Sequence, residues 1–435
     1  MARAPPAGYD AAVRLILFLC ALALAPAARA QDCLAFLSDV EGSAAKLARF
    51  EERSPAFVAG ADGRRHLAPG ARFVHGGDSF DRFAGDLAVA RELTRLEAEA
   101  PDRVVLIAGN RDLDKLRLRP ELSPGALAHP PVERAAAFAA WRHGRPDNRV
   151  NRLHFLLEMT MGSPSGFELR RAELGHATDD DVLESYLSET RAGGGAYRLL
   201  SRAHLMARVG DTLFVHGGIT DANIGLVPGE AARAPDVDAW IARLDAWYHR
   251  ELARWDAAAD GWSGEGPRVG EPLIAYGEAS AGLAVNPDSV VYNRNVDAQG
   301  KIALPGPRAI AFLLASGIRR LAIGHTPSGQ APVVLRTPDE RFEQVLVDSS
   351  RADLPEEPSL VAFTGPHLAG TDVSAAVRET RTGRALPVRF HLTSGAPTPI
   401  GKRTADGALV IGTAERGVVT YQLEPGFRVI YQLRR

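Results

Sequence analysis

Three times between residues 33 and 118 of the 435-residue chain, a short apolar run is followed by a Gly-rich loop holding acidic residues and then by a helical stretch. "CLAFLSDVEGSAAKLARFEE" reads as a strand to about Ser38, the loop Asp39-Val40-Glu41-Gly42, and a helix from Ser43. "ARFVHGGDSFDRFAGDLAVARELTRLEAEA" and "DRVVLIAGNRDLDKLRL" repeat that order. Apolar runs of this length bounded by turn residues make buried strands, the periodic stretches after them make amphipathic helices, and their alternation makes βαβ units. "DTLFVHGGIT" at 211–220 and "RRLAIGHTPSGQ" at 319–330 resume the theme, and a strand "FEQVLVDSS" closes it at 342–350. The fold class expected is therefore α/β (α+β).

Residues 113–205 break the rhythm with Arg119-Pro120 and His129-Pro130-Pro131, then helical stretches around Asn151 to Met161 and Asp179 to Thr190. They read as a helical insertion within a domain spanning 31–352. Beyond Pro355 helix signals fade and "ALVIGT", "GVVTYQL" and "FRVIYQL" take over, giving a β-rich C-terminal segment, 353–435, with a small meander from Gly407 to Leu433.

The first thirty residues read as a secretory signal: Arg3 and Arg14, an apolar run from Leu15 to Ala25, and the small-x-small site Ala28-Arg29-Ala30, which places the mature start at Gln31. The run is too short for a membrane span, which needs roughly 20 residues, so no stable span is expected after cleavage. Cys20 leaves with the signal and Cys33 alone remains, so no internal disulfide is possible and the core must hold the fold unaided. The expected location is periplasmic or secreted. A formal charge of −2 leaves no basic field of the kind that holds nucleic acid, which is not expected as a partner.

In α/β sheets ligands gather just past the carboxyl ends of the strands. Asp39, Glu41, Asp78, Asn110, His216 and His325 stand there, each one to three residues beyond an apolar run. Singly, an Asp after a strand is more often a helix cap and a His beside one is usually structural. Together, carboxylates, an amide oxygen and two imidazoles at five successive strand ends form a plausible shell for two metal ions. Gly42, Gly76, Gly77, Gly109, Gly217, Gly218 and Gly324 accompany them and let the backbone turn tightly or approach closely.

"SDVEG", "GGDSFDR", "GNRD", "FVHGGI" and "GHTP" resemble, in order, the motifs of the calcineurin-like metallophosphoesterase superfamily, D-x-H-G, G-D-x-x-D-R, G-N-H-[DE], H-G-G and a late G-H. The second and fourth forms are similar to the phosphoprotein-phosphatase-like branch, which includes bacterial relatives and diadenosine-polyphosphate hydrolases. The likeness covers roughly residues 33 to 350. It implies a sandwich of two mixed β-sheets flanked by helices with a dinuclear centre at the strand ends. By that likeness Asp39 and position 41 hold the first ion, Asp78 bridges, and Asn110, His216 and His325 complete the second site. Arg82 meets the substrate phosphate and Arg294, in "VVYNRNV", is a candidate partner for it, with a surface-loop role as the alternative. The activity implied is a phosphatase using a dinuclear metal-bound hydroxide, with manganese the leading metal and iron, magnesium or zinc as alternatives.

Two positions depart from the family pattern. Glu41 replaces a His; a carboxylate still ligates and favours harder ions, or it serves only as an acidic residue at a helix start. Arg111 replaces the His commonly assigned, with the Asp equivalent to Asp81, as general acid. A guanidinium does not release a proton at working pH, and losing a general acid typically costs on the order of 10² to 10⁴ in rate. Arg111 instead offers a fixed cation for a phosphate or an anionic leaving group. Low-pKa leaving groups follow as the expected preference: phosphoanhydrides such as nucleotide polyphosphates, or aryl phosphates including phosphotyrosine. Phosphorylated small molecules, nucleotide polyphosphates and phosphoproteins are all candidate substrates. Alternatively Arg111 is a structural partner of Asp81 or Asp112. Lys115, Arg117 and Arg119 read as a solvated helix face, or as contacts for the far end of a polyanion. The competing function is a catalytically degenerate module that binds metal or phosphate without turnover.

Overall fold

Alternation along the first strand decides how the layers form. Ala35 and Leu37 face one apolar cluster and Phe36 the other, because successive strand side chains point to opposite sides. The computed structural model describes residues 33–129, 135–350, 358, 361–364, 367–368, 371–392, 399–424 and 426–435; the proposed signal lies outside them. The strands are β1 (Cys33–Leu37), β2 (Phe57–Ala59), β3 (Arg65–Leu67), β4 (Arg72–His75), β5 (Val104–Leu106), β6 (Met206–Val209), β7 (Thr212–Val215), β8 (Arg320–Pro327) and β9 (Val333–Arg336). They continue with β10 (Glu343–Asp348), β11 (Val361–Thr364), β12 (His367–Leu368), β13 (Thr371–Glu379), β14 (Ala385–Leu392), β15 (Leu409–Ala414), β16 (Gly417–Glu424) and β17 (Arg428–Arg434).

Two five-stranded sheets run in the orders β12-β11-β1-β4-β5 and β6-β7-β8-β10-β9. Both are mixed. In the first, β1, β4 and β5 are parallel and β11 pairs antiparallel to β1; in the second, β7, β8 and β10 are parallel and β6 and β9 are antiparallel edges. The sheets pack face to face through Phe36, Val74, Phe214, Ala322, Val345 and Val361, with the Phe36 and Phe214 rings edge-on at 5.0 Å. The outer faces are covered by helices, including Ala44–Arg53, Asp86–Glu99 and Val237–Ala258. The first and third are capped by side chains: the Ser43 hydroxyl accepts from Lys46 N at 3.1 Å, and the Asp236 carboxylate accepts from Ala239 N at 2.8 Å. The α/β sandwich expected from the sequence is the architecture found.

Helices fill the segment between β5 and β6. Those at Arg149–Met159, Gly166–Glu173 and Asp179–Glu189 share their own apolar cluster around Leu153, Leu156, Phe167, Val182 and Leu187. The last, Gly195–Arg202, packs Leu199 and Leu200 into the main core instead. Among the described residues beyond 350 there is no helix. The sandwich takes β11 and β12 from there, and β13 to β17 close into a barrel, β13 and β17 pairing parallel. The meander read from the sequence is β15-β16-β17; closure requires β13 and β14 as well. Tyr421 and Tyr431 seat the barrel on the sandwich by donating to the carbonyls of Pro327 (2.5 Å) and Ser328 (2.8 Å), just beyond His325.

Candidate metal centre

Parallel pairing sets β1, β4 and β5 side by side, Leu37 opposite His75 and His75 opposite Leu106, so the loops after them emerge together. Val215 pairs with Ile323 in the second sheet, which brings His216 and His325 to the same end. Close approach of these loops needs small residues: a Cβ on Gly324 would fall inside the van der Waals envelope of Ser38 Oγ and Asp39 Oδ2.

The site is built on strained backbone. Asp39, Glu41, Asp78, Asp81 and His325 have φ of 56°, 49°, 53°, 69° and 56°. Left-handed conformations at non-glycine residues cost about 1–3 kcal/mol each and persist where the surroundings enforce them. Here Asp39 N donates to Gly77 O at 2.9 Å, Glu41 N donates to Asp78 O at 2.8 Å, and both Asp39 oxygens accept from His325 N at 3.1 Å. Asp112 locks the third loop by accepting from Gly109 N and Ser79 N, each at 2.8 Å.

Asp78, His216 and His325 present ligand-type atoms within 4.8 Å of one another, all buried. His216 Nδ1 is 2.8 Å from Gly76 O, which orients Nε2 towards Asp78 Oδ1 (3.2 Å) and Asn110 Oδ1 (3.1 Å). Donors bonded to one ion at about 2.0–2.2 Å lie roughly 3 Å apart, so these spacings suit a shared cation. His325 Nε2 is buried with no hydrogen-bond partner, a cost that an ion would remove. These four residues therefore fit a divalent ion. Burial alone would lower the His216 imidazole, but the neighbouring Asp78 carboxylate outweighs it and lifts it to about 10. Burial and the Arg294 charge hold His325 well below the usual imidazole range. Burial and the Asp348 carboxylate push Asp39 well above the ordinary carboxyl value.

The other sequence candidates are placed differently. The Glu41 carboxylate lies between two guanidiniums, Oε1 2.9 Å from Arg111 Nε and Oε2 2.9 Å from Arg82 Nη1. Arg111 also reaches Asp78 Oδ2 at 3.6 Å and donates from Nη1 to the carbonyls of Asp81 (2.8 Å) and Met161 (2.6 Å). Its ionic partners are thus Glu41 and Asp78, not the carboxylates of Asp81 or Asp112. The Asp81 carboxylate pairs with Lys115. Arg294 donates to His325 O and stacks its guanidinium 4.5 Å over the Phe427 ring of the barrel, so it is not a free surface-loop residue.

Neither reading of Lys115, Arg117 and Arg119 holds, since all three are buried in ion pairs. Arg117 pairs with Glu121 at 2.8 Å and with Glu278, and Arg119 with Asp256 (2.6 Å) and Asp260 (2.8 Å). The helical period placed them on one stretch but could not show that the insertion and the segment around 256–278 enclose it.

Comparison with known proteins gives structural likeness only. No family model matches the chain, and no curated protein matches it. Among solved structures it is similar to a cold-active protein tyrosine phosphatase at 16% identity, covering 82% of this chain and 78% of that one with a TM-score of 0.43. The cold-active protein-tyrosine phosphatase of a psychrophile, Shewanella sp., also matches at 16% identity, with 82% and 80% covered and a TM-score of 0.42. A protein serine/threonine phosphatase from Saccharomyces cerevisiae, with similarity to human phosphatase PP5, matches at 11%, with 78% and 75% covered and a TM-score of 0.35.

Three neighbours of the centre went unread in the sequence. Lys46 is buried and donates from Nζ to Asp39 O at 2.8 Å. Asp348 is buried at the end of β10, and the Tyr292 ring lies 4.9 Å from that of His325. Asp348 carried the same strand-end signal as Asp39, in "FEQVLVDSS"; Lys46 and Tyr292 carried none.

Proposed function

We propose that the chain is a metal-dependent phosphoesterase, hydrolysing phosphoester or phosphoanhydride bonds. The observation that carries the reading is the buried trio Asp78, His216 and His325 with the half-buried Asn110, one imidazole nitrogen being unpartnered, beside the cations Arg82 and Arg111. An ion held by that set would supply Lewis acidity, drawing charge from a phosphoryl oxygen and acidifying water. Asp78 would hold the ion through the oxygen beside His216, while its other oxygen faces Arg111. Arg82, a quarter exposed, is the guanidinium open to an incoming phosphate. Arg111 places a permanent positive charge where phosphoryl-transfer charge develops but provides no proton. The leaving oxygen must therefore depart as an anion or take its proton from water. That favours phosphoanhydrides and aryl phosphates, phosphotyrosine included, over serine-type monoesters. The N-terminal segment supports a periplasmic or secreted location, and manganese suits a donor set containing carboxylate and amide oxygen.

The ion pairs that hold Glu41 favour a second reading, a binding module of the same fold without turnover. One panel separates them: p-nitrophenyl phosphate, phosphotyrosine, phosphoserine and nucleotide polyphosphates, each with Mn²⁺. Turnover of the low-pKa leaving groups ahead of phosphoserine is expected. Equal or faster phosphoserine hydrolysis would overturn the preference; bound metal with no turnover on any substrate would overturn the enzyme reading.

A further inference from the structure

We infer that the buried centre takes one divalent ion, and that the Arg111 guanidinium stands in the place of the second. The inference rests on the metal-dependent reading above and concerns the donor set Asp39, Glu41 and Asp78, which the sequence likeness assigns to a first ion. That set does not fit one. Two ions sharing Asp78 would sit about 3.5–4 Å apart, so the second must lie off the Asp78 oxygen that faces away from His216, towards Glu41. Arg111 Nε is already there, 3.6 Å from Asp78 Oδ2 and 2.9 Å from Glu41 Oε1. The remaining Glu41 oxygen is taken by Arg82. A dication entering would meet a guanidinium at contact distance and a ligand with neither oxygen free.

The arrangement follows from two consecutive residues. Arg111 N donates to Asp78 Oδ1 at 2.9 Å, which fixes the backbone so that Asn110 and Arg111 straddle the Asp78 carboxylate. The Asn110 amide oxygen turns to His216, on the ion's side. The Arg111 side chain turns to Glu41, and its Nη1 is anchored on the Asp81 and Met161 carbonyls. Charge also balances this way. Arg82 and Arg111 pair with the Glu41 and Asp78 carboxylates and so compensate them without a second dication. In this arrangement Arg111 supplies charge and hydrogen bonds and no second Lewis acid. It also accounts jointly for both departures from the family pattern: a His at position 41 could not form an ion pair with a guanidinium, and a Glu can.

The test is an ion count in the full chain loaded with Mn²⁺, read by elemental analysis and electron paramagnetic resonance. It is made in a His249→Ala background, because His204, Asp245 and His249 form a second, half-exposed group of metal-type donors. One ion per chain with an isolated-ion spectrum is expected. Arg111→Ala should raise the count to two and give an exchange-coupled spectrum. Two coupled ions with Arg111 intact would overturn the inference while leaving the metal-dependent reading in place. A count that stays at one in Arg111→Ala would also overturn it. No bound ion at all would overturn the metal-dependent reading itself. Should Arg111→Ala fail to fold, the count and spectrum with Arg111 intact decide the matter alone.

Discussion

Replacing Lys115 by Met should unbalance the centre from behind. Lys115 Nζ pairs with Asp81 Oδ1, the side chains being 3% and 0% exposed, and the ammonium also lies 5.4 Å from the Phe80 ring and 5.3 Å from that of Tyr186. Asp81 Oδ2 has no hydrogen-bond partner, so Lys115 is the principal stabiliser of that carboxylate. Met keeps most of the stem's volume and removes only the charge. Breaking a buried pair while leaving its partner costs about 3–5 kcal/mol. The carboxylate can escape by taking a proton, which gives the cost a pH signature. Burial pushes the Asp81 carboxyl up and Lys115 opposes it, so losing Lys115 raises it further. The wild-type carboxyl is already raised, so both proteins lose stability together just above the unfolded value of about 3.9; the variant's deficit relative to wild type opens at higher pH, where only the variant still holds the proton. Urea unfolding of both proteins at pH 4.5 and 8 measures this, with the larger deficit expected at pH 8. Asp81→Asn added to Lys115→Met should recover much of the loss, since Asn tolerates the left-handed backbone at 81. A deficit below about 1 kcal/mol, or one equal at both pH values, would refute the buried-pair account.

Gly324→Ala should cost about 1–3 kcal/mol by overpacking and weaken Mn²⁺ binding, because its Cβ would press on Ser38 and Asp39; equilibrium dialysis with unchanged affinity would contradict this. Glu51 is pushed up to about 8 by burial and then by Glu92. Its ionisation therefore opposes folding as pH rises from about 4.3, the free Glu value, towards 8, and Glu51→Gln should match wild type at pH 4 yet exceed it at pH 8.5 in urea midpoint. Tyr421→Phe removes a donor to Pro327 O and should cost about 1–3 kcal/mol, with hydrogen exchange rising around 327–331; exchange rising only within the barrel would show that this contact does not hold that loop.

How much was legible follows from the range of the interactions. Asp39, Asp78, Asn110, His216 and His325 were readable because strand, turn and helix are local patterns, and parallel pairing then carries every strand end to one edge of the sandwich. The α/β alternation was readable for the same reason, whereas the sandwich of two mixed sheets was implied only by the motif likeness. Barrel closure was not, since β13 meets β17 across more than fifty residues of chain and β-prone runs do not encode their partners. Lys115, Arg117 and Arg119 looked solvated because alternation with Leu suits an amphipathic helix, and their acidic partners at 81, 278, 256 and 260 lie far off in sequence.

The chain's sequence by itself determined the α/β alternation and which residues stand at the strand ends, through apolar periodicity and turn chemistry. Only the tertiary structure decided what Arg111 does. Whether a guanidinium faces solvent, a substrate or a carboxylate is an electrostatic question among groups brought together by folding, and here Glu41 and Asp78 surround it. The buried Glu41 and Asp78 carboxylates demand compensating positive charge, and folding brings Arg111 to them.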